Sequence, residues 1–175
     1  MLTTPSKRAL PQTVDARKLT GQGVHLTGVF TGEQLPRLAA AVLNIDEPVD
    51  VELSFNMDEQ GTRTVVGTVS AKVAVTCQRC MEGMPLELSS DVALGLVWDE
   101  DGAKHLSSEL EPWIVADESA QLSRLVEDEL LLALPFVNYH DEGDCQGVSH
   151  FSTGEVEESS EPNPFQVLEQ LKRKD

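Results

Sequence analysis

Two long runs of alternating residues occupy the middle of the chain and limit what it can fold into. From Val65 the apolar positions Val69, Val73, Val75 and Cys77 fall on odd numbers, and a second run places Leu86, Leu88, Val92, Leu94, Leu96 and Trp98 on even ones. A period of two marks a strand with one buried and one wet face. Only the short segment CQRCMEG at 77–83 separates the runs, so they are predicted to pair as one hairpin joining residues 64–76 with 85–98. Both thiols of the Cys77-Gln-Arg-Cys80 motif are thereby expected at an exposed turn between strands.

Shorter patterns extend this frame. Val24, Leu26, Gly28 and Phe30 alternate with His25, Thr27 and Val29 as far as Thr31-Gly32, a weaker strand pattern, and Val51, Leu53, Phe55 and Met57 alternate with Glu52, Ser54, Asn56 and Asp58 before a turn over residues 58–61. Between them, Thr31 followed by Gln34 looks like a capping box, with Leu35, Leu38, Ala39 and Val42 on one helical face and Pro36 delaying the helix start. Residues 99–111 form a polar, acidic loop. Leu122, Leu125, Val126, Leu130 and Ala133 predict a helix over residues 121–134, capped by Asp117 or Ser119 and stopped by Pro135. Strands followed by a few helices predict an α+β domain, an antiparallel sheet in a meander or partly closed barrel, over residues 1–150. With 175 residues, 40% of them hydrophobic, there is room for one domain and a tail.

Residues 151–175 are that tail. The stretch STGEVEESSE has a linker's composition, and Asn163-Pro164 then places a cap before a proline suited to a first helical turn. Phe165, Leu168 and Leu171 would line one face, and Lys172, Arg173 and Lys174 would sit at the negative helix end. So short a helix must bury its stripe to persist, either on the chain's own body or on a partner.

Charge narrows the function. The net value is −17, and residues 41–161 hold five bases against twenty-six acids. Such a body repels phosphate backbones and attracts basic partners, among which ribosomal proteins are prominent. RNA contact is left to sparse cations: Arg79 at the hairpin tip, the basic residues near the N-terminus, and Lys172, Arg173 and Lys174. No apolar run reaches the roughly 18 residues of a membrane helix, the longest being 130–137, and the N-terminus lacks a secretory h-region. A cytoplasmic location is expected.

Three cysteines are too few for a disulfide scaffold. Cys77 with Cys80 forms one clip of metal-ligand spacing, and His140 with Cys145 offers a second after Pro135. Together they supply the four soft or borderline donors that a structural zinc takes. His150 is a competing ligand, whereas His25 and His105 are expected to be solvated or packed. The opposing view makes these reduced thiols at a turn beside an unrelated loop histidine.

The segments CQRC at 77–80, VEDELLLALP at 126–135, the H-x4-C beyond it, and NPFQVLEQLKRK near the C-terminus together resemble the large ribosomal RNA subunit accumulation protein (YceD) family. The resemblance covers about residues 10–174 and implies a cytoplasmic factor supporting synthesis, processing or stability of large-subunit ribosomal RNA. A non-catalytic role, with a basic ribosomal or assembly protein as partner, fits it. Direct RNA binding is one alternative. A thiol oxidoreductase is another, disfavoured because redox Cys-x-x-Cys pairs normally sit at helix N-termini. No glycine-rich phosphate loop, G-x-S-x-G elbow or H-x-E with P-C-x-x-C is present. Glu127, Asp128 and Glu129 are adjacent helix positions pointing in different directions, so they are read as an acidic face with one member buried and paired.

Overall fold

A computed structural model describes residues 8–141 and 143–145. Phe165, Leu168, Leu171, Lys172, Arg173 and Lys174 lie outside these residues, as does His150. The predicted hairpin is the centre of the fold. Strand β5 (Arg63–Thr76) pairs antiparallel with β6 (Gly83–Val97), from Arg63 opposite Leu96 to Thr76 opposite Gly83. Strand β4 (Val49–Met57) lies on the other side of β5, and β2 (His25–Phe30) pairs with β4. The turn at residues 58–61 is built as expected. Asp58 Oδ1 accepts from Gln60 N at 2.9 Å and Thr62 N at 2.7 Å, and Gly61 takes φ +83°.

The main sheet runs β2-β4-β5-β6-β7, where β7 (Glu111–Ile114) joins parallel to β6, and β3 (Asn44–Ile45) also pairs with β5. Among the described residues the sheet does not close into a barrel. Its pairing needs one residue without a side chain: a Cβ on Gly67 would lie 2.0 Å from the Glu52 carbonyl oxygen. Two more strands, β1 (Thr13–Val14) and β8 (Ala120–Gln121), pair separately and bring the N-terminal segment to the start of the longest helix.

That helix, α4 (Leu122–Ala133), buries Leu122, Leu125, Val126 and Leu130 against the inward residues of β4, β5 and β6, among them Phe55, Val69, Val73 and Val92. Each such side chain contributes roughly 1.5–3 kcal/mol on leaving water. Neither Asp117 nor Ser119 caps α4. Gln121 holds the cap position without a side-chain bond, and the N-terminal donor of Ser123 is met by the Gln12 carbonyl at 3.2 Å. The segment brought by β1 thus replaces a local cap.

The helix after Thr31 divides as Pro36 demands. A 3-10 turn (Gly32–Gln34) precedes α2 (Pro36–Ala41), with Thr31 N donating to Gln34 Oε1 at 3.0 Å. Leu35 and Leu38 are buried and Ala39 is exposed, because six helical residues present too narrow a face to include it. Besides the two-residue strands β1, β3 and β8, two elements lay outside the expected pattern: α1 (Ala16–Gln22), capped by Asp15 and closed by Gly23 at φ +64°, and β7. The 99–111 stretch is also less uniform than its composition suggests, since α3 (Glu100–Ala103) starts at an Asp99 cap.

Candidate metal centre

The hairpin tip is a tight loop. Cys77 N donates to the Glu82 carbonyl at 2.8 Å and Met81 N to the Cys77 carbonyl at 2.9 Å. Met81 closes the loop at φ +63°, a left-handed conformation unfavourable for a residue with a side chain. The turn curls the backbone around one sulfur, and the N–H groups of Arg79, Cys80 and His140 all bond to Cys77.

The second clip arrives from α4. Pro135 stops the helix, and the chain crosses to the hairpin tip, where Gln78 N donates to the Asn138 carbonyl at 2.9 Å and Asn138 N donates to Gln78 Oε1 at 3.0 Å. Arg79 stacks over Tyr139 with its guanidinium carbon 5.1 Å from the ring centre. These contacts deliver His140 and Cys145. One expectation is corrected here: the Cys77 thiol does not sit at an exposed turn but is fully buried, and Cys80 is half-buried. The crossing segment covers the tip, which alternation within the hairpin could not reveal.

All four predicted ligands converge. The donor atoms of Cys77, Cys80, His140 and Cys145 lie within 4.8 Å of one another. Cys77 Sγ is 3.9 Å from Cys145 Sγ, and Cys80 Sγ is 3.4 Å from His140 Nδ1. Tetrahedral zinc with its usual bond lengths would set sulfur–sulfur separations at about 3.8 Å and sulfur–nitrogen separations at about 3.6 Å. The donor set and spacing therefore suit a Cys3His site.

Electrostatics at the cluster is uneven. Burial pushes the Cys77 thiol up, but the surrounding N–H groups and the Cys80 side chain outweigh it and bring Cys77 down to about 5. At Cys80 the Glu82 N–H acts downward, yet burial and the sulfurs of Cys77 and Cys145 leave the thiol raised. The low Cys77 value does not make it a reagent for disulfides in solution, because its sulfur has no exposure and the motif lies between strands.

Other singled-out residues separate from this centre. His25 is on an exposed sheet face, with Nδ1 2.9 Å from Ser54 Oγ, and His105 is exposed. The three carboxylates of α4 diverge as expected. Glu127 is buried, and its Oε1 accepts from the backbone N–H groups of Arg37 at 2.6 Å and Leu38 at 3.2 Å. Asp128 pairs with the Arg37 guanidinium, and Glu129 accepts from Ser90 Oγ at 2.8 Å. Gln78, Asn138 and Tyr139 were not foreseen as part of the centre. The only local signal for them is their position next to or between the ligands.

A family model described as large ribosomal RNA subunit accumulation protein YceD matches residues 65–172, a span holding both clips and α4. A protein of Haemophilus influenzae named large ribosomal RNA subunit accumulation protein YceD is 35% identical over 173 residues, covering 96% of this chain and 99% of its own length. No solved structure matches the chain. With a family match over more than half its length and a relative aligned almost end to end, the chain belongs to the large ribosomal RNA subunit accumulation protein YceD family.

Proposed function

We propose that this protein is a non-catalytic factor for producing large-subunit ribosomal RNA, acting by holding a basic ribosomal or assembly protein, with one structural zinc pinning its hairpin tip. The observation that carries the reading is the near full-length likeness to a protein named for large ribosomal RNA subunit accumulation. A net charge of −17 supports a basic protein as the partner. The zinc rests on the convergence of Cys77, Cys80, His140 and Cys145 at near-tetrahedral separations. Bound there, the metal would supply a cross-link between β5–β6 and the segment after α4.

Two measurements test this. Elemental analysis of full-length protein purified without chelator should give one zinc per chain, and the Cys80→Ser and Cys145→Ser variants well below that. A metal-free wild-type protein, or one whose zinc survives both substitutions, defeats the assignment. Cells lacking the protein should show a lowered ratio of large- to small-subunit ribosomal RNA, restored by the intact chain. Affinity capture of the chain should enrich basic ribosomal or assembly proteins. An unchanged ratio would sink the biological role, and capture of bare RNA alone would sink the protein-partner reading.

A further inference from the structure

Beside α4, on the side away from α2, lies a groove that the described residues do not fill. An open hollow of about 540 Å3 lies between α4 and the β6–β7 edge, with Leu94, Trp113, Ile114, Leu125 and Leu132 among its lining residues. A second hollow of about 390 Å3 continues it toward the helix C-terminus and shares Leu94, Glu111, Glu129 and Leu132 with the first. Of the apolar lining residues, Leu132 is 78% exposed and Ile114 46%, whereas Leu94 and Leu125 are buried at its base. Around it stand Glu111, Asp117 and Glu129, and Asp128 paired with Arg37, against one lining base, Arg124, and the second hollow adds Asp91 and Glu109 with no base. A hollow of mixed lining, with two exposed aliphatic side chains and an acidic rim, fits a short amphipathic segment with basic ends.

The chain carries such a segment. Phe165, Leu168 and Leu171 recur at helical spacing and are followed by Lys172, Arg173 and Lys174. We infer that residues 163–174 of this same chain are the occupant of the groove between α4 and β6–β7, stripe inward and basic triplet against the acidic rim.

Several arguments favour the chain's own segment. Nineteen residues separate Cys145 from Phe165, and an extended chain covers about 3.3–3.6 Å per residue, so the tether reaches any point on a domain of this size. A tether of this kind holds its end at an effective concentration on the order of millimolar, above that of a free cellular peptide of similar fit. The intervening 152–161 stretch is acidic, so the groove repels the linker and attracts the basic end beyond it. The family match also runs from residue 65 to 172, carrying groove and segment together. This inference goes beyond the metal centre and the ribosomal role and depends on neither.

The test uses the full chain with Phe165 replaced by its photoreactive benzophenone analogue, irradiated as a mixture of isotopically light and heavy protein. Cross-links within one chain to residues 111–117 or 124–132 are expected. Leu132→Glu in the same background should lower their yield on the order of tenfold, since it removes the burial of one leucine. Leu132 is largely exposed in the body, so that substitution leaves the fold intact. Cross-links only to other surfaces, only between light and heavy chains, none at all, or a yield indifferent to Leu132→Glu would each overturn the inference. In parallel, Leu168→Ala with Leu171→Ala in a Trp98→Phe chain leaves Trp113 as the one tryptophan. Its emission should shift to the red as the groove reopens to water; an unchanged spectrum counts against the occupant.

Discussion

Glu127 shows how one side chain can settle a helix start that local sequence leaves open. Pro36 occupies the first turn of α2 and has no N–H to offer, and the next two donors, Arg37 N and Leu38 N, both end on the Glu127 carboxylate from α4. A long-range carboxylate thus caps a six-residue helix and locks it to the main one. Glu127→Ala leaves two donors without an acceptor and should cost about 2–4 kcal/mol, whereas Glu127→Gln keeps an acceptor oxygen and should cost about half as much. Urea unfolding checks both, and equal losses would contradict the capping account. Met81 presents the opposite case. Its side chain is 72% exposed and packs little, while its backbone sits at φ +63°. Met81→Gly should raise stability by about 0.5–1 kcal/mol, seen as a higher urea midpoint at unchanged slope.

At the scale of elements, what could be read in advance comes from periodicity. β4, β5 and β6 each bury alternate residues over nine positions or more, so their ends fall within two residues of the expected ones. The metal clips were legible for a related reason, since their spacings are local even though their meeting is not. What escaped was either short or set by distant partners. β1, β8 and the four residues of β7 have too few positions to show a period. The burial of Cys77 depends on a segment sixty residues away in the chain, held by the paired Gln78–Asn138 hydrogen bonds. Those bonds and the Arg79–Tyr139 stack also mean that a metal bound there would not be the sole link between tip and crossing segment. Chelation should therefore raise amide hydrogen exchange at residues 77–83 and 136–145 while leaving the β4–β5 ladder protected. Protection lost evenly across the sheet would show instead that the ion holds the whole domain.

For the whole molecule, charge is the property most open to test. A body with twenty-six acids against five bases over residues 41–161 should bind a basic ribosomal protein tightly at low salt. Raising ionic strength from about 0.05 to 0.5 M should weaken that affinity at least tenfold, measured by titration calorimetry, because the Debye length falls to a few ångströms. Salt-independent binding would shift the explanation to apolar contacts.

The metal clips also impose an order in time. Cys80 and His140 are sixty residues apart, and Cys77 and Cys145 sixty-eight. At about 5–20 residues per second, a ribosome needs roughly 3–14 s between making the first clip and the second. Throughout that interval the hairpin tip is a two-sulfur half-site with nothing to complete it. The fourth donor is synthesised only after β5, β6, β7 and α4, so full coordination of a metal at these residues would report that the entire sheet and its covering helix have already been made.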